Sequence, residues 1–155
     1  MTLLLAFGLG ILAGLRSMTP PAAVAWAAHF GWLSLDATPL AFLQSSVARY
    51  LLLAAMIGEL VADKLPFTPN RTRVGPFIAR IVSGGLSGAA HAAGLGGSLP
   101  LGAVAGAIGA VAGTLGGYRA RIGLVRKWNV PDYIVALIED VITVGGALLI
   151  VSAGA

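Results

Sequence analysis

Cysteine is absent from the 155 residues, which excludes disulfides, redox thiols and thiolate metal sites. Charge is nearly as scarce: 10 Lys/Arg and 6 Asp/Glu make up 10% of the chain, against about 25% in a water-soluble domain. A surface of ordinary polarity cannot be built from so few charges, so we read an integral membrane protein. Acids are scarcer than bases, which alone produces the formal net charge of +4. There is no basic face with interleaved aromatics, and nucleic acid is therefore excluded as a partner. No polar stretch is long enough to fold separately in water, so residues 1–155 form one domain. Neither HExxH nor GxSxG occurs, and we assign no catalytic residue, metal ligand or cofactor.

What the chain does contain is apolar sequence, 57% of residues, with 22 glycines and a mean hydropathy of +0.90. Met1 to Ala25 combines an apolar run with small residues but lacks the basic leader of a signal peptide, so it is read as retained. Helices are the elements that satisfy every backbone amide inside one apolar segment. The segments are Leu3–Ser17, Pro20–Leu33, Ser45–Ala62, Phe77–Gly94, Leu99–Tyr118 and Pro131–Ser152. Met18-Thr19-Pro20-Pro21 separates the first two, because successive prolines remove amide donors and push Thr19 out of the α region. Either two short crossings form a hairpin, or one long helix breaks in the membrane. We favour an all-α polytopic bundle of six segments over five, since a single helix there would run ~45 Å against a hydrocarbon core of ~30 Å.

With six segments, Arg16, Lys64, Arg71, Arg73, Arg80, Arg119, Arg121, Arg126 and Lys127 share one side and Arg49 alone lies on the other. The excess of Lys/Arg marks the cytoplasm, with both termini outside; five segments would move the N-terminus. Tyr118, Trp128 and Tyr133 near the inner boundary and Trp32 and Tyr50 near the outer one suit an aromatic belt. Asn70-Arg71-Thr72 matches a glycosylation pattern, which a cytoplasmic loop makes irrelevant.

Gly102, Gly106, Gly109, Gly113 and Gly117 recur at three or four residues along the fifth segment, and Gly10/Gly14 and Gly84/Gly88 repeat the spacing. Such seams let helices approach closely where lipid offers no hydrophobic drive; packing within one chain is the first reading and a homodimer seam the second. Ser83, Ser87 and His91 step by four along the fourth segment. His91 is read first as hydrogen-bonded to a neighbouring helix, and second as a ligand or proton carrier. Gly10-Ile-Leu-Ala-Gly-Leu-Arg16 weakly echoes Gly113-Thr-Leu-Gly-Gly-Tyr-Arg119. Six segments would divide three plus three, the halves inverted as in many transporters, with Glu59 and Glu139 as loose counterparts.

Charge inside apolar segments carries most of the functional information. Glu59 follows an apolar run and Asp63 lies one helical turn later on the same face; Glu139-Asp140 lies ~10–12 Å into the last segment. Asp, Lys or Arg at the centre of a membrane helix costs ~2.5–3.5 kcal/mol, so such residues face a partner or a wet cavity. All four acids fall in the cytoplasmic half, where Arg16, Arg80 and Arg119 end their helices. One reading is an ion-pair network that locks the bundle; the other is a water-accessible pocket for an ion, a proton or a polar head group.

Gly14-Leu-Arg-Ser-Met-Thr-Pro-Pro-Ala22, Gly58-Glu-Leu-Val-Ala-Asp-Lys-Leu-Pro66 leading into Thr68-Pro-Asn-Arg-Thr72, and Ala136-Leu-Ile-Glu-Asp-Val141 resemble a family of small bacterial polytopic membrane proteins catalogued as a domain of unknown function. The resemblance covers nearly the whole chain. It implies a compact helical domain in the bacterial cytoplasmic (inner) membrane and marks Arg16, Glu59, Asp63, Lys64, Glu139 and Asp140 as family-like positions. It implies no substrate or reaction. From charge in the membrane we expect a transporter or channel for an ion or small polar solute, with Arg16, Glu59, Asp63, Lys64, Arg80, His91, Arg119, Glu139 and Asp140 as candidate binding residues. A non-catalytic assembly protein is the alternative. A lipid-modifying enzyme ranks below both, because His91 and the acids lie toward opposite ends of their helices.

Overall fold

The computed structural model describes residues 1–64 and 73–153, and among these the fold is all-helical, with no strand. The helices are α1 (Thr2–Leu15), α2 (Thr19–His29), α3 (Ser46–Ala62), α4 (Val74–Gly94), α5 (Leu99–Lys127) and α6 (Asp132–Ser152), with a single 3-10 turn at Ala41–Gln44 before α3. Two of them, α5 and α6, are long and apolar enough to cross a membrane, and α1 is a shorter apolar helix. The Asn70-Arg71-Thr72 motif and the expected position of Arg71 lie outside the described residues.

The break between α1 and α2 is sharper than the prolines suggest. Arg16 turns extended (φ −139, ψ 112), and α2 already begins at Thr19, with the prolines in its first turn. Proline is tolerated there because the first helical amides have no partner within the helix, so Thr19 remains helical and the interruption falls on residues 16–18. The second segment stops at His29, short of Leu33. Gly31, at φ +77, turns the chain back, and Leu33, Leu35 and Leu43 tuck under the bundle fully buried.

The fifth segment does not end at Tyr118. It continues as helix to Lys127, which places Arg119 inside a helix rather than at its end. Nothing between Arg119 and Lys127 breaks a helix except Gly123, whose cost of about 1 kcal/mol is tolerable. The turn comes instead at Asn129, in the left-handed region at φ 53, with Pro131 just before α6. Trp128 therefore lies ~15 Å along the axis from Tyr118, and the two cannot mark one boundary.

The centre of the fold is the trio α1, α4 and α5, and glycine allows it. A Cβ on Gly84 would sit 2.7 Å from the Gly106 carbonyl oxygen; one on Gly88 would meet the Gly106 Cα at 3.0 Å; one on Gly109 would meet the Gly10 Cα at 3.0 Å; one on Gly14 would meet the Ala110 carbonyl at 2.5 Å. Backbones here touch directly. Gly10, Gly14, Gly84, Gly88, Gly102, Gly106, Gly109 and Gly113 all face partners within the chain, as the first reading of the seam expects; Gly117 is half-buried.

The same contacts fix the register. Gly10 meets Gly106 and Gly14 meets Gly113, so α1 and α5 run parallel; Gly84 meets Gly106 and Gly88 meets Gly102, so α4 is antiparallel to α5; Gly8 meets Ile150 and Gly146 meets Leu12, so α6 is antiparallel to α1. Extending these registers sets Arg16 level with residues near 115 in α5 and 142 in α6. Both helices run a further ~15–18 Å beyond that level. Helix α2, with eight of its 11 residues buried, fills the space beside α3, α4 and α6.

Candidate functional site

The break between α1 and α2 exposes carbonyls at one helix end and amides at the next, and such groups need partners when buried. Side chains from α3, α4 and α5 supply them. Arg80 of α4 donates from Nη1 to the carbonyls of Gly14 (2.6 Å) and Leu15 (2.9 Å). Thr114 of α5 donates to the Ala110 carbonyl at 2.7 Å and reaches the Gly14 carbonyl at 3.3 Å. Ser83 donates to the Ser17 carbonyl, and Ser87, one turn on, to Ser83.

On the amide side, the Glu59 carboxylate of α3 accepts from the Ser17 amide and hydroxyl and from the Met18 amide, each at 2.8 Å. These amides open α2, so Glu59 stands at the positive end of that helix dipole. The Arg80 Nη2 lies 4.0 Å from Glu59 Oε1. A guanidinium thus meets the carbonyl end of one half-helix and a carboxylate meets the amide end of the other.

Arg16, in the break itself, is fully buried. Its guanidinium pairs with Asp63, one turn beyond Glu59 on α3, and with Asp140 of α6 at 2.6 Å; it also donates to the Ala136 carbonyl at 3.4 Å. Lys64 closes the group, donating to the Leu60 carbonyl at 2.8 Å and pairing with Asp140 at 2.6 Å. A second charged set lies further along α5 and α6. Arg121 holds Asp132 bidentately at 2.7 and 2.6 Å and reaches Glu139 at 3.3 Å. Thr143 donates to the Glu139 carbonyl at 2.6 Å.

The structure therefore brings together Arg16, Glu59, Asp63, Lys64, Arg80 and Asp140, and puts Glu139 in a neighbouring pair. Two candidates stand apart. Arg119 is exposed, because α5 continues past it and Arg121, about 200° further round the helix, takes the inward direction. His91 is fully buried, yet neither ring nitrogen has a hydrogen-bond partner among the described residues. The expected bond to a neighbouring helix is not made among the described residues. No group of three or more His, Asp or Glu able to hold a metal occurs among the described residues.

Sequence reasoning missed Ser17, Thr114, Arg121 and Asp132 as site residues. Ser17 and Asp132 were readable as a polar residue beside the proline break and an acid at a helix start, where dipole and orphan amides favour them. Arg49, in the first turn of α3, pairs with no acid among the described residues; its guanidinium lies over Trp26 at 4.9 Å and Tyr50 at 5.2 Å.

No curated protein and no solved structure matches the chain. The motifs that build the break, Gly14–Ala22, Gly58–Lys64 and Ala136–Val141, fall within one continuous match to a single family model. Over residues 3–154 the chain matches, and belongs to, the family described as a domain of unknown function (DUF4126).

Proposed function

We propose that the protein is a multi-pass protein of the bacterial cytoplasmic membrane, with six membrane segments and both termini outside, that passes an ion or small polar solute through the α1–α2 break. Large apolar side chains more than half exposed occur on five helices: Leu4 (73%), Leu51 (65%), Val82 (63%), Ile108 (57%) and Val141 (73%). Lipid is the solvent that suits such faces. With the outer ends of α1 and α5 at the outer boundary, Arg16 lies ~21 Å in, about two-thirds across a core of ~30 Å. The charged cluster then sits inside the membrane, in its cytoplasmic half.

The observation that carries the reading is the break itself, whose two half-helix ends hold a carboxylate and a guanidinium. Half-helix ends of this kind are the sites at which transporters coordinate charged solutes. A purely structural break would need only short hydroxyl or amide side chains. Buried ion pairs, moreover, are often matched or bettered in stability by well-packed apolar residues, so keeping five or more ionised groups inside lipid points to use. Mutual pairing of the described acids favours a second reading, a non-catalytic assembly protein. The three-plus-three symmetry gains little, because Glu59 caps a helix while Glu139 pairs with Arg121.

Uptake of a panel of monovalent cations, protons, chloride and small polar solutes into reconstituted vesicles tests the proposal. The expected result is flux for at least one of them that falls tenfold or more in Glu59→Gln, normalised to folded protein. Inert wild-type protein, with both Glu59→Gln and Glu139→Gln unstable, would replace transport by the assembly reading.

A further inference from the structure

Every acid described at the charged end of the bundle has a partner within the chain: Glu59 at the Ser17 and Met18 amides, Asp63 and Asp140 at Arg16, Asp132 and Glu139 at Arg121. Four cations have none among the described residues. Arg73, before α4, and Arg119, Arg126 and Lys127, on the last turns of α5, are all exposed. The α4–α5 register, Gly84 to Gly106 and Gly88 to Gly102, extends to bring residue 73 opposite residue 117, so Arg73 and Arg119 stand at one level on adjacent helices. Trp128 (76% exposed) and Tyr133 (62% exposed) flank the same end.

Depth assigns these side chains a neighbour. A core of ~30 Å takes about 20 helical residues, and counted from Leu99 that length ends near Arg119. Arg73 and Arg119 then lie at the inner hydrocarbon boundary. Arg126 and Lys127 lie ~10 Å beyond it, in and just past the head-group layer, with Tyr133 as an interfacial anchor.

We infer that Arg73, Arg119, Arg126 and Lys127 form a basic collar that retains anionic phospholipid head groups of the cytoplasmic leaflet. This inference rests on the membrane reading above but not on transport. Uncompensated cations at this depth meet lipid phosphate directly, and a polybasic segment beside a membrane helix gains about fivefold in affinity for an anionic surface per Lys or Arg. Paired acids matter as much as free bases, because an unpaired carboxylate here would repel the same head groups.

The test is native mass spectrometry of the full chain purified in detergent with an equimolar mixture of phosphatidylglycerol and phosphatidylcholine, alongside lipid release on dilution. Wild type is expected to retain phosphatidylglycerol in excess, with the excess shrinking as salt is raised. Arg119→Gln/Arg126→Gln/Lys127→Gln is expected to lower the preference by about a hundredfold, three factors of five; Arg73→Gln, made separately, lowers it by about fivefold and keeps the test intact should the triple variant not fold. Equal retention of both lipids by wild type, or a preference unaffected by both variants, overturns the collar while leaving transport standing. Displacement by inorganic phosphate beyond that caused by chloride at equal ionic strength overturns it in favour of a soluble anion. Wild-type protein that does not partition into detergent or vesicles overturns the collar and the membrane reading together.

Discussion

Replacing Glu59 isolates the contact that joins the two half-helices. Its carboxylate accepts three hydrogen bonds, two on Oε1 from Ser17 and one on Oε2 from Met18. In Glu59→Gln the amide oxygen can keep the Ser17 pair, but the new NH2 then faces the Met18 N–H, donor against donor. One charge-assisted bond is lost at about 1.5–3 kcal/mol, together with part of the interaction with the α2 dipole, about 0.3–1 kcal/mol. The expected loss is about 2–4 kcal/mol. Glu59→Ala strands the Ser17 and Met18 amides together, at about 1–3 kcal/mol each, plus the hydroxyl bond, so its loss should be larger, about 3–6 kcal/mol. Ser17→Ala removes the hydroxyl bond alone and should cost about 1 kcal/mol. Val61→Ala, on the exposed face of the same helix, serves as the control with little effect. Unfolding in mixed detergent micelles, followed by tryptophan fluorescence and circular dichroism, orders the four variants. An alanine variant no less stable than the glutamine one, or both equal to Val61→Ala, would refute the view that Glu59 caps the break.

Gly109→Leu should lower stability by about 3 kcal/mol or more, the upper range for overpacking, because its Cβ alone would stand 3.0 Å from the Gly10 Cα; Ala37→Leu in the exposed loop before α3 should be near neutral, and equal effects would show that the α1–α5 contact is not tight. Labelling of single cysteines placed at residues 1 and 153 should proceed from outside intact cells, and a protected residue 1 would replace six crossings by five. His91→Leu should match or exceed wild-type stability by about 1 kcal/mol, since it removes two buried nitrogens without partners at nearly constant volume; a loss above about 2 kcal/mol would show that His91 holds a polar partner in the folded protein.

Helix bounds were legible where local chemistry dictates them. Ser46–Ala62 and Asp132–Ser152 fall within a residue of their expected limits, because Ser45 caps the first and Pro131 opens the second. Bounds failed where tertiary structure decides. Residues 119–127 carry four cations and read as a loop, yet α6 offers Asp132 and Glu139 to Arg121, and nothing in the local sequence interrupts the helix. The acids on one face of α3 were visible from their spacing, whereas their targets were not: Glu59 turns to backbone amides across the break and Asp63 to Arg16, a distinction that depends on where α2 starts. That start hinges on the prolines, which read as breakers and act as first-turn residues.

The same distinction explains why the cluster is divided as it is. Arg16 closes the last turn of α1, its amide donating to the Leu12 carbonyl, and its buried guanidinium is met by side chains, Asp63 and Asp140 reaching it from α3 and α6. Arg80 serves the backbone instead. Its donors go to the carbonyls that α1 leaves open, and Glu59 lies at 4.0 Å rather than in direct contact. Moving Glu59 away would leave Arg80 beside unoccupied amides, an electropositive pocket. Moving Arg80 away would leave carbonyls and a carboxylate, an electronegative one. If the break is the solute path proposed above, each side chain sets the sign of solute accepted once the other is displaced. Comparing anion and cation flux in Glu59→Gln and Arg80→Gln reads that sign directly: the glutamine at 59 should shift residual flux toward anions and the glutamine at 80 toward cations, and identical selectivity in both would place the solute path elsewhere in the bundle.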